Sequence, residues 1–238
     1  MIQSKSKERI KLLKKISLKT IFFNFRYLPF KQAVKLPIFI AKNVYLRKLS
    51  GTVIVNCPLS TGLIHIGFGE VGIFDDKKQR AIWQVEGKVV FNGRADMGQG
   101  TRICVNKDGE LIIGENFTIT AESSIIVSTK VQFGKNCLLS WDVLIMDDDF
   151  HYIKDKNGIT KKPSQPINIG NNVWIGCQAM ILKSSNIPNN CVIGAKSLIC
   201  KTLIKSNCLY AGNPVICVKE EIIWSREQQD FSNLINYK

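Results

Sequence analysis

The sequence predicts an all-β solenoid of short parallel strands carrying a basic helical arm. Three observations predict it. Ile169, Ile175, Ile181, Ile187, Ile193 and Ile199 recur every six residues without a miss. Four residues after each stands Val173, Ala179, Ser185, Cys191, Ser197 or Leu203, mostly small. The charge is lopsided: residues 1–50 hold 13 Lys/Arg against one acid, Glu8, a net +12 of the chain's +14.

The arm comes first. Residues 5–23, "KSKERIKLLKKISLKTIFF", read as a basic amphipathic helix, with Ile10, Leu13 and Ile16 in one stripe and Leu12 and Phe23 flanking it. It either docks that stripe on its own protein or lies on a membrane surface. A uniformly basic chain would suggest nucleic acid. A basic, apolar-interleaved arm on a near-neutral body suggests an anionic membrane surface, and no nucleic acid is expected. Pro29 and Pro37 interrupt the chain after the arm, and "GTVIV", "GLIHIGFG" and "VGIF" between residues 51 and 74 read as short strands.

The repeat occupies the second half of the chain. A period of six is neither an α-helix nor one long strand, and at this length it signals a β-helix. Each isoleucine stacks on a counterpart in a neighbouring coil, and the slot four residues later points into a tight corner. Ile113 and Ile119 share one upstream frame. Val127, Phe133, Leu139 and Ile145 share another, shifted by two, which implies a bulge near 124–126. The expected division is 1–48 helical arm, 49–217 β-helix with an extruded loop at about 151–168, and 218–238 C-terminal segment.

"DVLIMDDDFHYI", residues 142–153, ends an apolar run in three aspartates and one of only two histidines. The Val127 frame would continue at His151, but "HYIKDKNGITKKPSQP" is polar, so the chain leaves the solenoid there. Loops on rigid scaffolds often carry function. In an extended segment Asp147, Asp149 and His151 share one face. A carboxylate beside a histidine fixes its tautomer and raises its basicity, as a general base requires. A solvated acidic turn and a calcium or magnesium site are the alternatives, the latter without the glycine turn of a calcium loop. His65 has no acid nearby in sequence before Glu70 and reads as structural. The eight cysteines include no C-x-x-C pair. They read as reduced thiols, and no metal is expected.

These residues resemble the hexapeptide-repeat acyltransferases, over roughly 85–220. "NNVWIGCQAMILKSSNIPNNCVIGAKSLICKT" is similar to their closing coils, and "YAGNPVICVKEEIIW" to their exit turn. The branch resembled is the maltose and galactoside O-acetyltransferase-like group, and within it the polysaccharide-modifying members. The resemblance implies a left-handed coil, a homotrimer, and acetyl-CoA as co-substrate with no permanently bound cofactor. It implies a sugar hydroxyl of a capsule or O-antigen polysaccharide, or of its precursor, as acceptor. His151 would take the hydroxyl proton, with Asp147 or Asp149 orienting it. Trp174, Cys177, Ala195, Cys200, Lys201 and Lys219 would contact coenzyme A, and Ser140 and Trp141 the acceptor. Apart from the resemblance, the reduced cysteines predict a cytoplasmic location, and the membrane reading of the basic arm would make it peripheral to the inner face of the cell membrane. Departures from the pattern at "SLICKT", at Ile216 and near Ser128 and Thr129 leave the acceptor open. N-acetylation of a nucleotide amino sugar, a xenobiotic acetyltransferase and a structural hexapeptide subunit are the other readings.

Overall fold

The computed structural model describes residues 16–75 and 78–226. Most of the helix expected over 5–23 lies outside them. Within them, Ser17 is extended and its hydroxyl accepts from the Thr20 amide, so helix α1 runs Leu18–Tyr27. This corrects the expectation that Ile16 and Ser17 are helical, because serine is better used as an N-cap than inside a turn. Pro29 stops α1, lacking an amide proton and disfavouring helix in the residue before it. A short α2 comes next at Phe30–Ala33.

The chain then winds in coils of three strands. The first coil is β1 (Ile38–Ile40), β2 (Tyr45–Lys48) and β3 (Thr52–Val55); the second is β4 (Ile64–Phe68), β5 (Ile82–Val85) and β6 (Lys88–Phe91). The third is β7 (Ala95–Gly98), β8 (Arg102–Val105) and β9 (Glu110–Ile113); the fourth is β10 (Phe117–Ile119), β11 (Ser124–Val127) and β12 (Lys130–Phe133). In the next, β13 (Leu138–Leu139) and β14 (Leu144–Met146) are succeeded by a protruding hairpin, β15 (Ile153–Lys154) and β16 (Thr160–Lys161), before β17 (Ile167–Ile169). Then come β18 (Trp174–Ile175), β19 (Met180–Leu182), β20 (Asn186–Ile187), β21 (Val192–Ile193) and β22 (Leu198–Ile199). The hairpin β23 (Leu209–Ala211) and β24 (Ile216–Lys219) closes the first face, the last pair antiparallel.

Corresponding strands of successive coils pair in parallel, making a three-faced prism. Leu139, Ile175 and Ile193 stack on the first face, Ile145, Ile181 and Ile199 on the second, and Phe133, Ile169 and Ile187 on the third. The six isoleucines thus fall two to a face, each at most 3% exposed. Burying one such side chain stabilises the fold by about 1.5–3 kcal/mol. The small-residue slots are buried as well, at corners where Asn172, Gln178, Ser184, Asn190 and Lys196 take φ of 54–66°.

Two further expectations are corrected. No bulge breaks β11: Ser124 to Val127 pair in unbroken register with Arg102 to Val105. Four-residue strands there turn two alternate side chains inward, Ile125 and Val127, and the frame slides by two because these coils are longer. The solenoid also begins before residue 49, since β1 pairs with β4 and β2 with β5.

α1 seals the open edge of the first face. The Ile40 amide donates to Thr20 Oγ1 (2.9 Å), which donates to the Ile40 carbonyl (3.2 Å). The Ile38 amide donates to Asn24 Oδ1 (3.2 Å), and Asn24 Nδ2 donates to the Ile38 carbonyl (2.6 Å). Two side chains therefore stand where a preceding strand would, satisfying groups an edge strand leaves open. Phe23 packs beside them, 5.3 Å from the Trp83 ring. No helix among the described residues is long and apolar enough to cross a membrane.

Candidate functional site

The acidic stretch does not share one face. Asp147 turns inward and is fully buried. Its carboxylate accepts from the amides of Ser128 (2.7 Å), Thr129 (2.8 Å) and Lys130 (2.7 Å) on the coil below. Burial pushes this carboxyl up; the three donors pull against the rise, and the Asp148 charge adds to it. Asp148 accepts from the Phe150 amide at 2.8 Å, which closes a tight turn with Phe150 at φ 60°. That turn breaks the extended geometry on which the shared face depended.

Asp149 points to Lys183, with Nζ to Oδ2 at 2.5 Å. The same ammonium donates to the carbonyls of Lys162 (3.1 Å) and Pro163 (3.0 Å). Lys183 therefore ties the outgoing and returning limbs of the loop together. No sequence pattern marks it, because it lies on the coil above.

His151 is exposed, and its Nδ1 lies 3.2 Å from the backbone carbonyl of Asp149. Neither carboxylate orients it, which corrects the expected roles of Asp147 and Asp149. The carbonyl can do so instead: it only accepts, so Nδ1 carries the proton in the neutral ring and Nε2 keeps a free lone pair.

A second group of expected residues does come together. Ser140, Trp141, Trp174, Cys177 and Ala195 line one mostly apolar groove of about 550 Å³. Trp174 Nε1 donates to Ser140 Oγ at 3.1 Å. Trp224 forms the other wall, its ring 6.0 Å from Trp174 and its Nε1 bonded to the Asn172 carbonyl at 2.8 Å. Gly176 and Gly194 line the floor. A Cβ on Gly176 would sit 2.7 Å from the Ala195 amide nitrogen, so coil stacking alone demands glycine there. Cys200 and Lys201 are exposed after β22 and lie outside the groove; Lys219 pairs in register with Leu209, a lining residue. Sequence reasoning missed Trp224 as a site residue. Its only signal was a tryptophan in an otherwise ordinary tail.

His65, read from the sequence as structural, has a partner that sequence distance hid. Its Nδ1 is 2.7 Å from Asp96 Oδ1, one coil up at the same register. Burial pushes the Asp96 carboxyl up, but bonds and charges from His65 and Arg94 outweigh it and hold it below its usual range. The ring lies between Phe39 and Phe68, consistent with a structural histidine.

No family model matches the chain. Over 110 residues it is 36% identical to the galactoside O-acetyltransferase of Escherichia coli strain K12, covering 45% of this chain and 53% of that protein. Over 128 residues it is 33% identical to the polysialic acid O-acetyltransferase of Escherichia coli O1:K1 / APEC, covering 52% of this chain and 41% of that protein. Over about half its length the chain is thus similar in sequence to curated O-acetyltransferases. It spans about half the length of the curated acetyltransferases it matches. The crystal structure of the polySia-specific acetyltransferase NeuO superposes with a TM-score of 0.50 at 19% identity, over 79% of this chain and 91% of that one. That likeness shows a shared fold.

The loop's dependence on Lys183 is testable. Lys183→Ala is expected to shift the His151 loop, and on the catalytic reading of that loop proposed below it should lower kcat about 10- to 100-fold, the usual cost of a reacting group displaced by about an ångström. Tm should barely move, since part-exposed ion pairs contribute about 1 kcal/mol or less. Unchanged turnover would show that the loop holds itself.

Proposed function

We propose that the chain transfers an acetyl group from acetyl-CoA to a sugar hydroxyl of a cell-surface polysaccharide or its precursor. The observation that carries this reading is the groove. Residues assigned separately to coenzyme A (Trp174, Cys177 and Ala195) and to the acceptor (Ser140 and Trp141) line a single cleft of apolar walls and few polar groups. Such a cleft suits a pantetheine arm. The relatives are named for acetyl transfer to galactosides and to polysialic acid, which supports the acceptor class.

His151 Nε2 would take the hydroxyl proton as the oxygen attacks the thioester carbonyl. The tetrahedral intermediate would collapse by breaking the C–S bond, and the imidazolium would return its proton to the departing thiolate. No acyl-enzyme is needed. Because acetyl-CoA is a cytoplasmic co-substrate, the reaction would run on the inner side of the cell membrane.

The proposed unit is a left-handed homotrimer. The groove lies on the first face and the corner joining it to the second, whereas the His151 loop leaves beyond β14, at the far end of the second face. A neighbouring copy would bring a histidine corner against a groove corner. Light scattering is expected to give three chains per particle, and a stable, active monomer would overturn the shared site.

The decisive assay supplies acetyl-CoA with galactosides, anionic polysaccharides and nucleotide amino sugars, and reads released thiol. Acceptor-dependent release with the polysaccharide or galactoside supports O-acetylation. Release only with the amino sugar would move the assignment to N-acetylation, and release with none would refute the transferase reading.

A further inference from the structure

The outward side of α1 and α2 is apolar where a solvated surface would be polar. Leu18 (86% exposed), Ile21, Phe22 (54%) and Phe25 (46%) follow the i, i+3, i+4, i+7 spacing of a single helix face. Phe30 (72%) and Val34 extend it, the Phe25 and Phe30 rings 5.9 Å apart. The hydrogen bonds of Thr20 and Asn24 to β1 fix this orientation, so α1 cannot roll to hide its phenylalanines without releasing the edge strand. A contiguous apolar patch held outward marks an interaction site.

Its surroundings are cationic. Arg26, Lys31, Lys35 and Lys42 are exposed, and none pairs with a carboxylate among the described residues. The first 50 residues carry a net +12.

We propose that this face docks on an anionic lipid surface. The aromatic and aliphatic side chains would enter the boundary between headgroups and acyl chains, and the cations would meet lipid phosphates and carboxylates. A second copy of the chain is the poorer occupant: it would bring an equal positive charge, and like fields repel. An acidic bilayer supplies the apolar interior and the opposite charge together. The patch lies on the capped end of the stack, several coils from β14 and the His151 loop, so docking leaves the proposed site open.

The test uses the full-length protein in sedimentation with phosphatidylcholine vesicles, with and without phosphatidylserine. Strong binding is expected only with phosphatidylserine at low salt, weakening steeply as salt rises. Phe22→Ser with Phe25→Ser should cut the partition coefficient about tenfold or more, since each loses the burial of a large ring. Tm and thiol release with a soluble acceptor should stay at wild-type values. That keeps this inference separable from the catalytic one. Lys31→Glu with Lys35→Glu should weaken binding as well, through charge alone. Full-length protein that ignores anionic vesicles at low salt would overturn the proposal. So would a phenylalanine variant that binds as well as wild type, or one that loses its oligomer instead, which would assign the face to a second copy.

Discussion

His151→Ala is expected to lower acetyl transfer about 100- to 10,000-fold, the usual cost of removing a general base. The fold should not notice. His151 is exposed, and among the described residues its side chain has one hydrogen bond, the Nδ1 approach to the Asp149 carbonyl. Its removal leaves no cavity and strands no buried donor, so stability should change by about 0.5 kcal/mol or less. The loss should fall on kcat, with the KM for acetyl-CoA nearly unchanged, because a general base acts in the transition state and His151 is not among the residues lining the groove. Steady-state kinetics beside a thermal melt would separate these effects. A variant keeping more than about a tenth of wild-type turnover would remove His151 from the chemistry.

Asp147→Ala should do the reverse. Its carboxylate is the acceptor for three consecutive backbone amides on the coil below. A buried donor left without a partner costs about 1–3 kcal/mol, so three of them should cost about 3 kcal/mol or more after partial relaxation. That is a large share of the stability of an ordinary domain. Asp147→Asn should also destabilise, since an amide turns N–H groups toward N–H groups. Denaturant unfolding checks both variants, and a loss under about 1 kcal/mol would show that the amides find other acceptors. The fraction still folded in the cold should turn over at close to the wild-type rate. Two aspartates two residues apart thus separate into a strut, Asp147, and a loop anchor, Asp149.

The side-chain partners that sequence distance hid share one cause. His65 has no acid within four residues, yet Asp96 lies against it because the coil returns to the same register 31 positions later. Asp147 and Asp149 sit two apart, yet one meets Ser128 below and the other Lys183 above. In a solenoid the neighbours that decide a side chain's role stand a coil away. Coil length varies too: 18 positions separate Ile175 from Ile193, but 20 separate Ile119 from Leu139. Sequence distance therefore does not translate into a fixed spatial partner. The groove was partly legible because three of its lining residues, Trp174, Cys177 and Ala195, sit in the regular upper coils. Trp224 was not, since it reaches the groove only when the tail folds back.

What the sequence by itself determined is the solenoid, its core and the exit of the chain near His151. Strand alternation and corner size are local constraints, so a period of six isoleucines with small residues between them leaves few other structures open. The charged character of the first 50 residues is equally local. Only the tertiary structure decided which way α1 faces. Its apolar residues would suit a core, but the open edge of β1 claims Thr20 and Asn24, because unpaired backbone groups at a buried edge cost more than phenylalanines left outside. That competition between one edge strand and one helix face is absent from any stretch of sequence read alone.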